Sequence, residues 1–288
     1  MDSKPRVFVV TGSNKGIGKS IVKRLLQDKE EKTVYLTARN EELGLQTVKE
    51  FEQNGLKPRF HQLDITDQNS IGRLHDYLKS EHGGLNVLVN NAGVAFRGDS
   101  PLHGAKTTVG CNYFGLMNIF NSFFPLLKQN GVVVNISSVS SVHAYKRLSD
   151  GLKRRFSDSG LTVDALSILM NEFITATEDQ DTFEATGWPT SAYGVSKMGV
   201  SFLTQLQQKS FDAEEPNRNI KVNSCCPGLV ETDMTRGKHE KSWYQTPEEG
   251  ADTPVYLSLL QANDDSIKGC FCQKRKPTTY PPQETANS

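Results

Sequence analysis

The stretch Arg6-Val7-Phe8-Val9-Val10-Thr11-Gly12-Ser13-Asn14-Lys15-Gly16-Ile17-Gly18 decides how the chain is to be read. A short apolar run leads into three glycines at close spacing. Behind them, Ile17–Gln27 carries Ile21, Val22, Leu25 and Leu26 at helical intervals. The order is strand, glycine loop, helix. Glycines there let the backbone approach a pyrophosphate, and the helix N-terminus favours its negative charge. The loop therefore predicts a dinucleotide site, with Gly12, Asn14, Lys15, Gly16, Ile17 and Gly18 as its candidate contacts.

Further along, apolar runs alternate with amphipathic stretches. Strands are predicted at Arg6–Val10, Thr33–Ala38, Pro58–Leu63, Leu85–Asn90, Val132–Ile136 and Ile220–Ser224, with a last short one at Cys270–Gln273. Helices are predicted at Glu41–Gln53, at Asp67–Ser80 behind an Asp67 cap, and over about Thr108–Lys128. Two more are predicted at Ser191–Lys209 and Pro247–Leu260. This rhythm predicts an α/β fold: one doubly wound, Rossmann-type domain with a parallel sheet over residues 1–275. About 145–188 the rhythm breaks, and Leu166, Leu169, Met170 and Phe173 form one stripe of an inserted helix. The proline-containing tail 276–288 reads as disordered.

Lys and Arg total 33 and Asp and Glu 33, so the net charge is zero. That balance disfavours nucleic acid and anionic membranes as partners. The apolar run at the N-terminus is too short for a secretory leader, and no segment approaches a membrane span. A cytoplasmic location is the expectation. The five cysteines, 111, 225, 226, 270 and 272, lack zinc-site spacing and read as reduced thiols, with no metal expected. Cys226 is the one that borders the expected site.

Tyr193-Gly194-Val195-Ser196-Lys197 lies 175 residues after Gly18. On a helix its phenol and ammonium share one face. A phenol titrates near 10 in water, and a fixed cation beside it lowers that value. The pair reads as a tuned proton donor. Arg39 follows the second strand, 21 residues past Gly18, where the usual fingerprint has a carboxylate. A guanidinium there binds a 2′-phosphate, and Lys15 reaches the same region, so NADP(H) is favoured over NAD(H). Asp64 ends the third strand, as an acceptor for the adenine amine or as a plain turn residue. Asn90-Asn91-Ala92-Gly93 and Asn135-Ile136-Ser137-Ser138 end the fourth and fifth strands at the edge where such sheets bind ligands. Ser138 suits donation to a substrate carbonyl, and Ser137 suits a buried cap.

Taken together, Thr11–Gly18, Asn90–Gly93, Ser138, Tyr193-x-x-x-Lys197 and Pro227-Gly228 resemble the short-chain dehydrogenase/reductases over residues 6–273. Phe60–Ile65, Gly187–Gly194, Cys225–Gly228 and Pro247–Leu257 look like the monomeric NADPH-dependent carbonyl reductases. That group also carries a long insertion before its catalytic tyrosine, and here 54 residues separate Ser138 from Tyr193. The resemblance implies that Tyr193 is the general acid and that Lys197 tunes it and holds the ribose. It implies that Ser138 polarises the carbonyl and Asn112 supports a proton relay to Lys197. Asn90, Ala92 and Gly93 would face the cofactor, and Pro227, Gly228, Val230 and Thr232 would line the nicotinamide carboxamide. Because the inserted helix would cover the surface through which most of the superfamily associate, a monomer is expected.

Two departures touch the substrate side. Leu229 stands where the resemblance leads one to expect tryptophan, and the loop between Gly93 and Asn112 is short. Ala95-Phe96-Arg97 offers an apolar and cationic wall that could suit glutathione-like or acidic substrates. The expected activity is reduction of aldehydes, ketones or quinones. The alternatives are an oxidative alcohol or hydroxysteroid dehydrogenase, and a non-catalytic NADP-sensing protein. An intact Tyr–Lys pair with its serine argues against the second, since sensing needs no proton donor.

Overall fold

A computed structural model describes residues 5–96, 104–235 and 240–283. Its sheet has eight strands in the order β3-β2-β1-β4-β5-β6-β7-β8. They span Arg6–Val10 (β1), Lys32–Ala38 (β2), Arg59–Gln62 (β3), Leu85–Asn90 (β4), Leu127–Ile136 (β5), Lys221–Cys226 (β6), Phe271–Gln273 (β7) and Lys276–Thr278 (β8). All neighbours pair in parallel except β7 and β8. The chain reverses its direction of travel across the sheet between β1 and β4, the place where folds of this kind open a ligand crevice.

Period-two alternation divides β1 between two cores. Phe8 and Val10 face a cluster with Ile21, Val22 and Leu25 of α1 (Gly16–Leu26) and Phe51 of α2 (Glu41–Gln53). Val7 and Val9 face the opposite cluster, with Ile71, Leu74 and Leu78 of α3 (Gln68–His82). Near-continuous apolar strands are what a sheet covered on both faces requires. Asp67 caps α3 as expected, accepting from Asn69 N at 2.9 Å.

The predicted helix over Thr108–Lys128 is instead composite. It comprises α4 (Ala105–Val109), a wider π-helical turn over Gly110–Gly115 and α5 (Leu116–Phe123). Pro125 cannot donate to a helical ladder, so the chain tightens into one 3-10 turn and enters β5 at Leu127. The helix predicted over Pro247–Leu260 is split into α10 (Pro247–Gly250) and α11 (Asp252–Ser258), α11 containing Pro254. The labels between them are α6 (Val139–Lys146), α7 (Asp150–Phe156), α8 (Val163–Ala176) and α9 (Ala192–Asp212).

The inserted stripe is α8. Leu166, Leu169, Met170 and Phe173 are buried in a third cluster with Val195, Met198 and Phe202 of α9. Gly199 permits the approach, since a Cβ there would lie 2.6 Å from Met170 Sδ. The expectation of a disordered tail from Lys276 is corrected. Lys276–Thr278 adds the antiparallel β8, and Tyr280 is buried against Phe202 and Phe271. Gln205 Nε2 donates to Tyr280 O at 2.7 Å. Composition missed this because a single buried aromatic side chain anchors the segment. Residues 284–288 lie outside the described residues.

Candidate functional site

Three strand ends meet at the reversal point. From β1, Gly12 (φ 60°) and Gly16 (φ 56°) take left-handed backbone that a Cβ would strain. A Cβ on Gly12 would sit 2.9 Å from Ala92 Cα, and one on Gly18 would sit 2.5 Å from Asn91 Nδ2. Asn91 stitches the two loops: its Nδ2 donates to Thr11 O and to Gly12 O, each at 2.9 Å. Thr11 Oγ1 accepts from the Asn91 and Ala92 amides at 3.0 and 2.9 Å. Asn91 was not among the predicted site residues, although its neighbour Asn90 was. These bonds hold the shape of the glycine loop.

Asn90 Nδ2 donates to Asn135 Oδ1 at 2.8 Å, while its own buried Oδ1 has no partner. Gly93 leaves open the space beside Lys197, since a Cβ there would come 3.4 Å from Lys197 Nζ. The glycine cradle, the gap at Gly93 and the orphaned Asn90 oxygen together fit a dinucleotide. Asp64 uses Oδ1 for Thr66, accepting from its amide and hydroxyl at 2.9 and 2.7 Å, the turn role weighed above. Arg39 is exposed at the end of β2. Lys15 reaches across the crevice to Asp233, 2.9 Å away. Their side chains are 69% and 59% exposed, so the pair is worth about 0–1 kcal/mol and leaves Lys15 available to an anion.

The catalytic candidates converge at the end of β5. Ser138 caps α6, accepting from Ser140 N at 3.1 Å, and its hydroxyl faces the Tyr193 phenol. Ser137 is buried and bonds Lys197 O and Ser201 Oγ at 3.0 and 2.7 Å, the structural role expected of it. Lys197 Nζ donates to Ile136 O at 2.7 Å and lies 5.8 Å from the Tyr193 ring centroid. Asn112 occupies the π-helical turn. Its Oδ1 accepts from Val94 N at 2.8 Å, and its Nδ2 donates to Val94 O and Ser196 Oγ, each at 2.9 Å. Ser196 in turn donates to Tyr193 O at 2.8 Å. Asn112 thus ties the loop after β4 to the helix bearing Tyr193. Ser196 was overlooked as a site residue, although it stands inside the Tyr-x-x-x-Lys string.

Burial dominates the electrostatics of the pair. The Tyr193 ring is partly exposed to the cleft, but dense packing around it pushes its pKa up to about 12, with the Ser138 hydroxyl acting against the rise. Burial of the ammonium pulls the Lys197 pKa down to about 8, with the nearby thiols of Cys111, Cys225 and Cys226 opposing. Desolvation disfavours the charged form of each group.

On the far side, Pro227 and Gly228 (φ 91°) turn the chain out of β6. Val230 is buried beneath them, and Thr232 packs near Gly16, where a Cβ would lie 3.4 Å from Thr232 Cγ2. Cys226 Sγ accepts from Val139 N at 3.2 Å and Gly228 N at 3.4 Å, joining the Ser138 loop to this corner. A cavity of about 720 Å³ opens beside Gly228, but its lining includes the ion-paired Arg24, Asp252 and Arg275 and none of Ser138, Tyr193 and Lys197. It is not the carbonyl site. Arg97, expected as a cationic wall, lies outside the described residues.

A dinucleotide cradle beside a Ser–Tyr–Lys cluster defines an oxidoreductase site. The chain belongs to the short-chain dehydrogenase family, whose family model matches residues 6–150 and 184–243. The unmatched interval falls within the insertion. Rat carbonyl reductase (NADPH) 3 is 46% identical over 283 residues, covering 97% of this chain and all of that protein. Human carbonyl reductase (NADPH) 1 is 43% identical, covering 96% of this chain and 99% of that one. Among solved structures, salutaridine reductase from Papaver somniferum superposes with a TM-score of 0.80 at 28% identity, covering 92% of this chain and 99% of that one.

Proposed function

We propose that this chain is an NADPH-dependent carbonyl reductase that converts aldehydes, ketones or quinones to alcohols. The observation that carries this reading is the meeting of Ser138, Tyr193 and Lys197 at the end of β5, beside the glycine cradle. It is joined by the near-complete likeness to carbonyl reductases. The cradle at Gly12, Asn14, Gly16, Ile17 and Gly18 would hold the pyrophosphate, and Lys15 and Arg39 the 2′-phosphate. Asp64 Oδ2 is left for the adenine, and Asn90, Ala92, Gly93 and Lys197 line the ribose side. Pro227, Gly228, Val230 and Thr232 would flank the carboxamide. The bound cofactor supplies the hydride.

As negative charge builds on the carbonyl oxygen, donors must already point at it. Ser138 and Tyr193 are the two hydroxyls placed to do so. Tyr193, with its pKa pushed up to about 12, is protonated at neutral pH and gives its phenolic proton to the oxygen. Lys197, charged below about pH 8, stabilises the phenolate left behind. Asn112 holds Val94 and Ser196 in place and so positions the tyrosine helix.

The rest of the reading follows from the fold. The Rossmann-type domain carries its insertion at about 145–188 and extends through Tyr280. With α8 packed on α9, and no helix among the described residues long and apolar enough to cross a membrane, we propose a cytoplasmic monomer.

The test follows absorbance at 340 nm with NADPH or NADH and a panel containing a quinone, an aromatic aldehyde and a ketosteroid. NADPH-dependent turnover is expected, with Tyr193→Phe losing about 10²–10⁴-fold in kcat. Tight NADPH binding with no turnover of any carbonyl would favour a sensing protein instead.

A further inference from the structure

The polar side chains that end β4 and β5 continue inward as a buried chain of amides. Asn90 and Asn135 lie opposite each other in the strand register. They sit two residues beyond Leu88 and Val133, which belong to the core that includes Phe211 of α9, so by strand alternation they face the same way. Asn135 Nδ2 donates to Thr204 Oγ1 at 3.0 Å and to Gln207 Oε1 at 2.9 Å, both on α9. Thr204 Oγ1 donates in turn to Val200 O at 2.8 Å. Asn135, Thr204 and Gln207 are fully buried.

These bonds have a direction. A hydroxyl has one proton to give and a primary amide nitrogen two. Thr204 spends its proton on the Val200 carbonyl and so meets Asn135 as an acceptor. Both protons of Asn135 Nδ2 are then used on α9, and its Oδ1 is left to accept from Asn90 Nδ2 at 2.8 Å. Asn90 Oδ1 is thereby turned away from Asn135, with no partner among the described residues. It stands at the end of the strand whose next three residues, Asn91–Gly93, frame the crevice. Reversing the amides would make Thr204 give its proton to Asn135, and the bond to Val200 O would be lost. It would also leave the two protons of Asn135 Nδ2 a single acceptor among these side chains, Asn90 Oδ1, which is costly in a buried place.

We propose that Asn135, held by Thr204 and Gln207, is a positioning residue that fixes the polarity of Asn90, so that an acceptor rather than a donor meets a hydroxyl of the nicotinamide ribose. This rests on the carbonyl reductase reading, in which Asn90 lines the ribose side of the cofactor. A ribose hydroxyl donating to Asn90 Oδ1 keeps its own oxygen free for the Lys197 ammonium. That ammonium spends one of its three protons on Ile136 O, next to Asn135 in the chain. An amide N–H in place of Asn90 Oδ1 would compete with Lys197 for the same ribose oxygen.

NADPH affinity of the whole protein, read from the fluorescence of the bound reduced cofactor with no carbonyl present, tests this. Asn135→Leu frees the Asn90 amide, and NADPH is expected to bind about tenfold more weakly. Asn135→Asp carries only acceptors, so Asn90 still turns Nδ2 towards it while Thr204 and Gln207 become donors that hold it ionised. It should bind NADPH within about twofold of the wild type. An NADPH analogue lacking both hydroxyls of the nicotinamide ribose should bind the wild type and Asn135→Leu within about twofold of each other. A merely structural role would weaken both cofactors alike and would not be rescued by aspartate. If Asn135→Leu does not fold, Thr204→Val replaces it, with an expected loss of about threefold for NADPH that Thr204→Ser restores. Unchanged NADPH affinity in the leucine or valine variant, equal losses for NADPH and the analogue, or Asn135→Asp as weak as Asn135→Leu overturns the assignment. A wild type that binds NADPH tightly yet reduces no carbonyl sinks the reductase reading alone, and the affinity pattern above would still establish the role of Asn135.

Discussion

Lys197 shows how a single residue is set by what surrounds it. Its ammonium is buried, and its pKa of about 8 lies below the ordinary 10.5. Between those values the unfolded chain holds a proton that the folded chain has released, so stability rises with pH across that window. Below pH 8 the cost of burying the charge is present in full. Tyr193 works in the opposite direction above pH 10, because its raised value keeps the folded phenol protonated longer. Lys197→Met removes the first effect. The stability of the wild type relative to this variant should climb by roughly 3 kcal/mol from pH 8 to 10.5 in urea titrations without added cofactor. A flat difference would show that the ammonium is better solvated than its surroundings indicate. The sequence revealed the Tyr–Lys pair but not the burial that acts on it. Spacing reports that two groups are near each other, whereas desolvation sums over every atom packed around them.

At the scale of elements, the π-helical turn over Gly110–Gly115 does what a regular helix would not. It carries Asn112, whose amide serves Val94 N, Val94 O and Ser196 Oγ together. Asn112→Ala leaves these groups, most of them shielded from water, short of a partner. A loss of about 2–4 kcal/mol is expected in chemical denaturation with an unchanged m value. If the loss is under about 0.5 kcal/mol, the clamp is dispensable. The sequence located this helix but not its wider turn, because hydrophobic periodicity barely registers one extra residue in a single turn. Its end at Pro125 was legible in principle, since a proline interior to a helix removes a donor. The glycine loop, by contrast, was read fully. Its demands for positive φ and for close approach at Gly12 and Gly18 are met inside a few residues.

Across the whole molecule, the insertion and the C-terminal hairpin share one task. α8 covers α9 through Leu169, Met170 and Phe173, and Tyr280 closes the neighbouring face over Phe202 and Phe271. Truncation after Arg275 removes β8 and Tyr280 together. We expect it to cost about 3–5 kcal/mol, on the scale of deleting a buried aromatic ring, and to lower Tm accordingly. Light scattering should then show self-association through the uncovered Phe202 face. A truncated chain that stays monomeric with an unchanged Tm would refute the role given to the hairpin.

The sequence by itself determined the parallel α/β order, the glycine cradle, the Tyr193–Lys197 face and the buried stripe of the insertion. Each of these is written within a few residues, as a period, a turn requirement or a cap. Only the tertiary structure decided that Asn91 and Ser196 support the site, that Lys15 meets Asp233 and that Tyr280 binds the tail. It also decided that Gln245 pairs with Leu229. Those contacts join residues far apart along the chain, and they exist only because the strand order brings their loops to one edge. Burial, and with it the charge state of Tyr193 and Lys197, is likewise a property of the packed whole.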